Sequence, residues 1–203
     1  MAISIWRWRL LFALLLSTVL FYALIFLFEG FHQESTRLAI RWSARFAAVF
    51  FCAAFGASTF QHFGKGGFTY WLRMNRKYFG IAYAITHFFH LGFLVLLQNY
   101  FHPVFTLAKT TSLMAGGMAY FFAGTMLLTS FDAFSRHLSP TQWKWLHTIG
   151  GWWIWGIFVK SYAKNALSYP GYMVIFLLLA VTALLKVIRY SQKANRGMQH
   201  EKG

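Results

Sequence analysis

Long apolar segments alternate with short polar ones along nearly the whole chain. Six of them approach the ~20 residues that an α-helix needs to cross the hydrocarbon core of a bilayer. They are Leu10–Phe28, Ser43–Phe60, Tyr78–Leu97, Ser112–Ser130, Trp143–Tyr162 and Pro170–Tyr190. The pattern predicts an all-α integral membrane protein, a six-transmembrane-helix bundle over residues 1–190. The polar tail, 191–203, is expected to lack regular structure.

The distribution of Lys and Arg between alternate connections predicts the orientation. One side holds Arg7, Arg9, Lys65, Arg73, Arg76, Lys77, Arg136, Lys144, Lys186, Arg189, Lys193, Arg196 and Lys202. The other holds Arg37, Arg41, Arg45, Lys109, Lys160 and Lys164. Because the richer side stays inside, both termini are predicted to be cytoplasmic. We interpret the first segment as a retained span, since its apolar run exceeds that of a signal peptide and FEGFHQ lacks a cleavage pattern.

Composition excludes several classes of protein. With 58% hydrophobic and 11% charged residues, the chain does not have the balance of a soluble domain. The net charge of +15 would suggest nucleic acid in a soluble protein, but no recognition motif accompanies it. We therefore expect the lipid bilayer, with its anionic headgroups, to be the partner of the basic residues. Cys52 is the only cysteine and is expected to be an inert packing residue.

Small residues recur in the fourth and fifth segments. Ala115, Ala119 and Ala123 are spaced four apart, and the fifth segment carries Gly150, Gly151 and Gly156; Gly116, Gly117 and Gly124 lie beside the alanines. Such positions let helices pack closely in lipid, which we favour over close approach to a cofactor.

A basic stripe precedes the second segment. Arg37, Arg41 and Arg45 share one helical face, and Ser35 or Thr36 is a candidate helix cap. The stripe indicates either an interfacial helix that contacts lipid phosphates or a docking face for an anionic group.

Three histidines lie within predicted spans: His87, His90 and His147. Ionisable side chains there are costly and usually mark function. Neutral imidazole is a common ligand of haem iron, and facing helices of a bundle are a usual place to hold it. The alternative is that each histidine is a hydrogen-bonded packing residue.

Two stretches resemble one known family. They are RKYFGIAYAITHFFHLGFL, with Gly80 and His90, and LLTSFDAFSRHLSPTQWKWLH, with Thr129, Asp132, Arg136, Trp143 and His147. Together they resemble the ferric reductase-like transmembrane superfamily, and within it the haem-binding membrane subunit of the bacterial periplasmic methionine-sulfoxide reductase system. The likeness extends from about Arg41 to Tyr162.

The resemblance implies a multi-pass protein of the bacterial inner (plasma) membrane that binds haem b between the third and fifth spans. By it, His90 matches the outer ligand and His147 the inner one. Arg76 falls where the oxidase relatives have a second histidine and the sulfoxide-reductase branch an arginine. His87 matches no family ligand and is the weaker candidate.

One departure is Lys160, which stands where the family usually has a histidine. His90 and His147 lie ~18 Å and ~6 Å into their spans, so they are not expected to ligate one iron. Single histidines can then hold haem at one or both levels. Lys160 is an outer ligand as a neutral amine, or else it snorkels to the interface or pairs with a haem propionate; we favour the latter two.

No nucleotide-binding motif such as GxGxxG appears, so any oxidoreductase activity is expected to need a separate donor and acceptor. The predicted function is a b-type haem electron-transfer subunit. A quinol or a separate flavoprotein reductase would supply its electrons, and a periplasmic or exogenous redox partner would take them.

Two alternatives stay open: a non-redox member of the fold that has lost haem and acts in assembly, and a small transporter or channel. The lack of intramembrane acids and Pro-broken helices disfavours the transporter.

Overall fold

The structure, a computed structural model, describes the backbone of residues 2–102 and 107–200 and the side chains of residues 8–102 and 116–195. Within those ranges it contains eight α-helices and no strand. They are α1 (Ala2–Glu29), α2 (Gln33–Phe63), α3 (Gly67–Met74), α4 (Arg76–Phe101), α5 (Leu107–Leu128), α6 (Asp132–Ser135), α7 (Pro140–Ala163) and α8 (Pro170–His200). The prediction of an all-α protein is confirmed for these residues.

Four helices in the described part of the chain are long and apolar enough to cross a membrane: Trp8–Glu29, Gln33–Phe63, Arg76–Phe101 and Pro170–Asn195. The protein is therefore a helical membrane protein with several candidate spans. The remaining two predicted spans correspond to α5 and α7. In α5 the apolar segment with described side chains is the shorter Gly116–Leu128. The first turns of α7 carry Gln142, Lys144 and His147, which make this helix less apolar.

Helix α2 lies at the centre of the bundle. Its most extensive partner is α4, and it also packs against α1, α3 and α8. Ala39, Ser43, Ala47 and Ala57 are fully buried along it. Small side chains allow helix backbones to approach closely where no hydrophobic effect drives them together, so these positions suit α2 to the centre of the bundle.

The start of α2 differs from the prediction. The N-cap is His32, whose Nδ1 accepts from the backbone N–H of Ser35, while the Ser35 hydroxyl accepts from the His32 N–H. The arginine stripe follows in the same helix, because no glycine or proline interrupts the chain before Gly56. It is not a separate interfacial helix. Arg45 lies over the rings of Trp42 and Tyr172, and Arg37 pairs with Glu34.

Only part of the predicted glycine packing is present. A Cβ on Gly150 would lie 2.8 Å from Met126 Sδ of α5, and one on Gly151 would lie 2.9 Å from Phe55 Cε2 of α2. A Cβ on Gly156 would meet nothing within 4 Å. Gly150 and Gly151 therefore let α7 approach its neighbours, whereas Gly156 does not. In α5, Ala119 and Ala123 are buried, and Ala115 lies outside the described side chains.

The tail prediction is wrong for residues 191–200. Helix α8 continues without a break to His200, well beyond the predicted end of the last apolar segment at Tyr190. Polar residues such as Gln192 and Lys193 have adequate helix propensity, so the helix extends out of the apolar region.

Candidate functional site

A cavity of about 730 Å³ opens between α2, α4, α5, α7 and α8. Most of its wall is apolar and is formed by side chains of these helices. Phe51 and Phe55 of α2, Tyr83 of α4, Met126 of α5 and Trp152 of α7 contribute large side chains. Gly80, Ala84 and Ala123 line it with small ones. This is the form of a binding site for a sizeable, largely apolar molecule.

The cavity carries a strong excess of positive charge. Six basic side chains line it, and Asp132 is the single carboxylate among the described lining residues. The basic residues are Arg76, Lys77, Lys144, Lys186, Arg189 and Lys193. All six belong to the side on which the sequence concentrates Lys and Arg. An amphiphile with acidic groups at one edge is the ligand chemistry that such a lining complements.

His147 lines the same cavity and is held by contacts on two helices. Its Nε2 lies 3.2 Å from Thr129 Oγ1, and its ring stacks on Trp143 of the preceding turn, with 4.0 Å between ring centroids. Trp143 Nε1–H in turn donates to the Thr129 carbonyl oxygen over 3.2 Å. Thr129 follows the end of α5, so the imidazole of α7 is oriented by the neighbouring helix.

Arg76 also lines the cavity, as the first residue of α4. Its Nη1 lies 3.4 Å from Ser58 Oγ of α2. On the other side, Lys186 Nζ of α8 donates to the Phe55 carbonyl oxygen over 2.9 Å and lies 3.9 Å from the centroid of the Phe55 ring. Cations from α4 and α8 are therefore both tied to α2 at this cavity. The structure brings together two of the sequence-predicted site residues, His147 and Arg76.

His90 does not line the cavity and instead faces α2. Its Nδ1 lies 3.0 Å from the carbonyl oxygen of Ile40 and 3.1 Å from Ser43 Oγ. Because a carbonyl only accepts, Nδ1 carries the proton in this contact and Nε2 keeps its lone pair. A backbone carbonyl bound to one ring nitrogen is the usual arrangement that orients a metal-ligating histidine.

His87 is the most buried of the three histidines, with 7% of its surface exposed. Its ring stacks between Tyr83 and Tyr120 and lies parallel to His90, 5.9 Å away. Neither ring nitrogen has a hydrogen-bond partner among the described residues. On sequence grounds, His87 ranked below His90 as a candidate ligand. Nothing in its spacing indicated that both of its ring nitrogens would be buried without a partner.

Lys160 lies on α7, thirteen residues beyond His147, and its side chain is exposed. The structure does not bring it to the cavity lined by His147 and Arg76. Its position at the end of a long apolar helix fits a side chain that extends to the interface.

The α8 cations were missed by the sequence reasoning. Lys186, Arg189 and Lys193 were counted only as orientation signals, although their spacing of three and four residues places them on one helical face. Among the described residues no group of three or more His, Cys, Asp or Glu side chains comes together.

Comparison with known proteins finds no matching family model, no matching curated protein and no matching solved structure.

Proposed function

We propose that the protein is a b-type haem-binding electron-transfer subunit of a bacterial inner membrane. The observation that carries the proposal is the cavity itself: an apolar space of about 730 Å³ that combines the His147 imidazole with six basic side chains. Haem b has the same combination of properties, since it is a large apolar ring with two carboxylates on one edge. The volume also falls within the ~300–1,000 Å³ range of small-molecule and cofactor sites.

The residues have separable tasks in this proposal. The His147 imidazole would hold the haem iron, and Trp143 and Thr129 hold its ring in one orientation. Arg76, Lys186 and Arg189 would neutralise the propionates and keep them at the charged edge of the cavity. The aromatic wall would exclude water, which strengthens these charge interactions. When bound, haem supplies a one-electron carrier that alternates between the ferric and ferrous states.

His90 is the candidate ligand of a second level. The proton on its Nδ1 is directed to α2, so Nε2 is the nitrogen available to iron. We propose that the protein is a six-span bundle with cytoplasmic termini, in which His147 and His90 lie at different depths. Helices α5 and α7 have 22 and 24 residues, which is ~33 and ~36 Å, so both are long enough to cross the bilayer.

A quinol or a flavoprotein reductase would donate electrons to the haem, and a periplasmic or exogenous partner would accept them.

One observation favours the second candidate function, a member of the fold that has lost haem and acts as a membrane assembly protein. At the level of His90, the side chains are engaged by the protein or directed away from the bundle interior: His90 bonds to the Ile40 carbonyl of α2, His87 packs against aromatic rings, and Lys160 is exposed.

A reduced-minus-oxidised absorption spectrum of the full-length protein, purified from haem-replete bacterial cells, separates the two functions. We expect the bands of b-type haem, with about one haem per chain when only the His147 level is occupied and about two when both are. A haem-free preparation that is monodisperse and helical by circular dichroism would reject electron transfer in favour of the assembly function.

The exposed position of Lys160 gives a prediction of its own. Replacing Lys160 with Met, which cannot carry charge, or with His, which the family has here, should leave the absorption spectrum and the midpoint potential of the holoprotein unchanged. Redox titration of the three proteins in the same detergent is the measurement. A shift of either quantity in the Met variant would make Lys160 a ligand or a propionate partner.

A further inference from the structure

A second cavity, of about 580 Å³, lies beside the first and shares Ser58 and Arg189 with it. It is formed by the end of α2, the turn that follows, α3 and α8. Its chemistry is different, because polar and basic groups dominate the lining: Gln61, His62, Lys65, Tyr70, Arg73 and Arg189. No carboxylate is among the described residues that line it. The cavity is therefore suited to an anion.

Hydrogen bonds join the walls of this cavity. Arg73 Nη1–H of α3 donates to Gln61 Oε1 of α2 over 2.7 Å, and His62 Nε2 lies 3.1 Å from Gln192 Oε1 of α8. The Arg73 guanidinium has five N–H donors, of which the bond to Gln61 uses one. These contacts hold the cationic groups around one space.

The position of α3 places the cavity at a membrane boundary. Helix α3 lies between the end of one candidate span, α2, and the start of another, α4. Three of its aromatic side chains are exposed, with 71% of Phe68, 56% of Tyr70 and 42% of Trp71 accessible. Exposed aromatic residues beside the ends of spans are typical of the headgroup level of a bilayer. The basic cavity and this aromatic surface are adjacent, since Tyr70 belongs to both.

We propose that the second cavity is a binding site for an anionic phospholipid. Lys65, Arg73 and Arg189 bind the headgroup phosphate, and the aromatic surface of α3 contacts the first part of the acyl chains. Basic pockets between membrane helices bind acidic headgroups in this way. The site is distinct from the haem cavity and does not depend on the proposed function, although Arg189 borders both.

Native mass spectrometry of the full-length protein, released from detergent with phosphatidylglycerol or phosphatidylcholine of identical acyl chains, tests the proposal. We expect phosphatidylglycerol to be retained in preference to phosphatidylcholine. The double variant Lys65→Gln/Arg73→Gln should lose roughly 25-fold in phosphatidylglycerol affinity, because each cation near an acidic headgroup contributes about a factor of five. The charge-keeping variant Lys65→Arg/Arg73→Lys should bind phosphatidylglycerol as the original protein does. This result would show that the loss in the glutamine variant comes from the missing charges and not from a disturbed fold.

A matched control removes two exposed cations elsewhere, in Arg136→Gln/Lys164→Gln. An equal loss in this variant would mean that net charge alone attracts the lipid, and would overturn the proposal. Equal retention of both lipids by the original protein would also overturn it. Inorganic phosphate is the third probe. Suppose that millimolar phosphate displaces phosphatidylglycerol completely, and that without added phosphate the protein retains phosphatidylglycerol no better than phosphatidylcholine. The cavity is then a site for soluble phosphate and not for a phospholipid. Haem content should be the same in all variants, so failure here is distinguishable from failure of the haem proposal.

Discussion

Replacement of His147 with alanine should remove the haem that we propose the larger cavity binds. The substitution removes the only imidazole among the described residues that line this cavity. Loss of a mere orienting partner of a metal ligand costs about 10- to 100-fold in affinity, so loss of the ligand itself should cost at least as much. The haem-to-protein ratio of the purified variant, measured by absorbance of the extracted cofactor, should fall correspondingly. His90→Ala should reduce only the haem bound at the second level.

His137→Ala is the matched control for these variants. It also deletes one imidazole, but from the exposed turn that precedes α7, and it should keep the full haem content. If His147→Ala and His90→Ala both retain as much haem as His137→Ala, neither histidine is a ligand, and the cavity must be assigned to another molecule.

Substitution of Gly151 with alanine should destabilise the bundle. The new Cβ would lie 2.9 Å from Phe55 Cε2, and the Phe55 ring has little freedom to move. It stacks on Phe51 and meets the edge of Trp152, and the Lys186 ammonium lies over its face. Overpacking of this kind costs about 1–3 kcal/mol. The midpoint of unfolding in detergent, followed by circular dichroism against denaturant, should shift downward.

Gly156→Ala separates overpacking from helix propensity. Both glycines lie in α7, but a Cβ at position 156 meets open space. There the substitution should be neutral or stabilise by up to ~1 kcal/mol, because alanine favours the helix. A difference of about 1–4 kcal/mol is therefore expected between the two variants. Equal stabilities would mean that α7 does not approach α2 as closely as the structure indicates.

Much of the fold could be predicted from hydropathy, because burial in lipid requires long apolar helices. The start of α2 was missed because the arginines were interpreted as an interfacial helix or docking face before the second apolar segment, whereas no glycine or proline in residues 33–55 interrupts the helix. Helices α3 and α6 have eight and four residues and are too short for a hydropathy pattern. The continuation of α8 beyond Tyr190 depends on helix propensity, which hydropathy does not measure.

The candidate site was predicted only in part. The family resemblance pointed to His147 and Arg76, which the structure places around one cavity. The cations of α8 could not be assigned to it, because their position depends on how α8 packs against α2 and α7. The contact between His90 and the Ile40 carbonyl is equally hidden, since a backbone oxygen has no sequence signature.

Helix α2 has 31 residues, which at 1.5 Å per residue is ~46 Å of continuous rod, longer than the ~30 Å hydrocarbon core. The same helix carries the Ile40 carbonyl that accepts from His90, Phe55 in the wall of the larger cavity and Gln61 in the wall of the second cavity. A thicker or thinner bilayer changes the tilt of a long span. Such a change of tilt would move all three positions together, because they lie on one helix. Membrane thickness would therefore affect the His90 contact and both cavities at the same time.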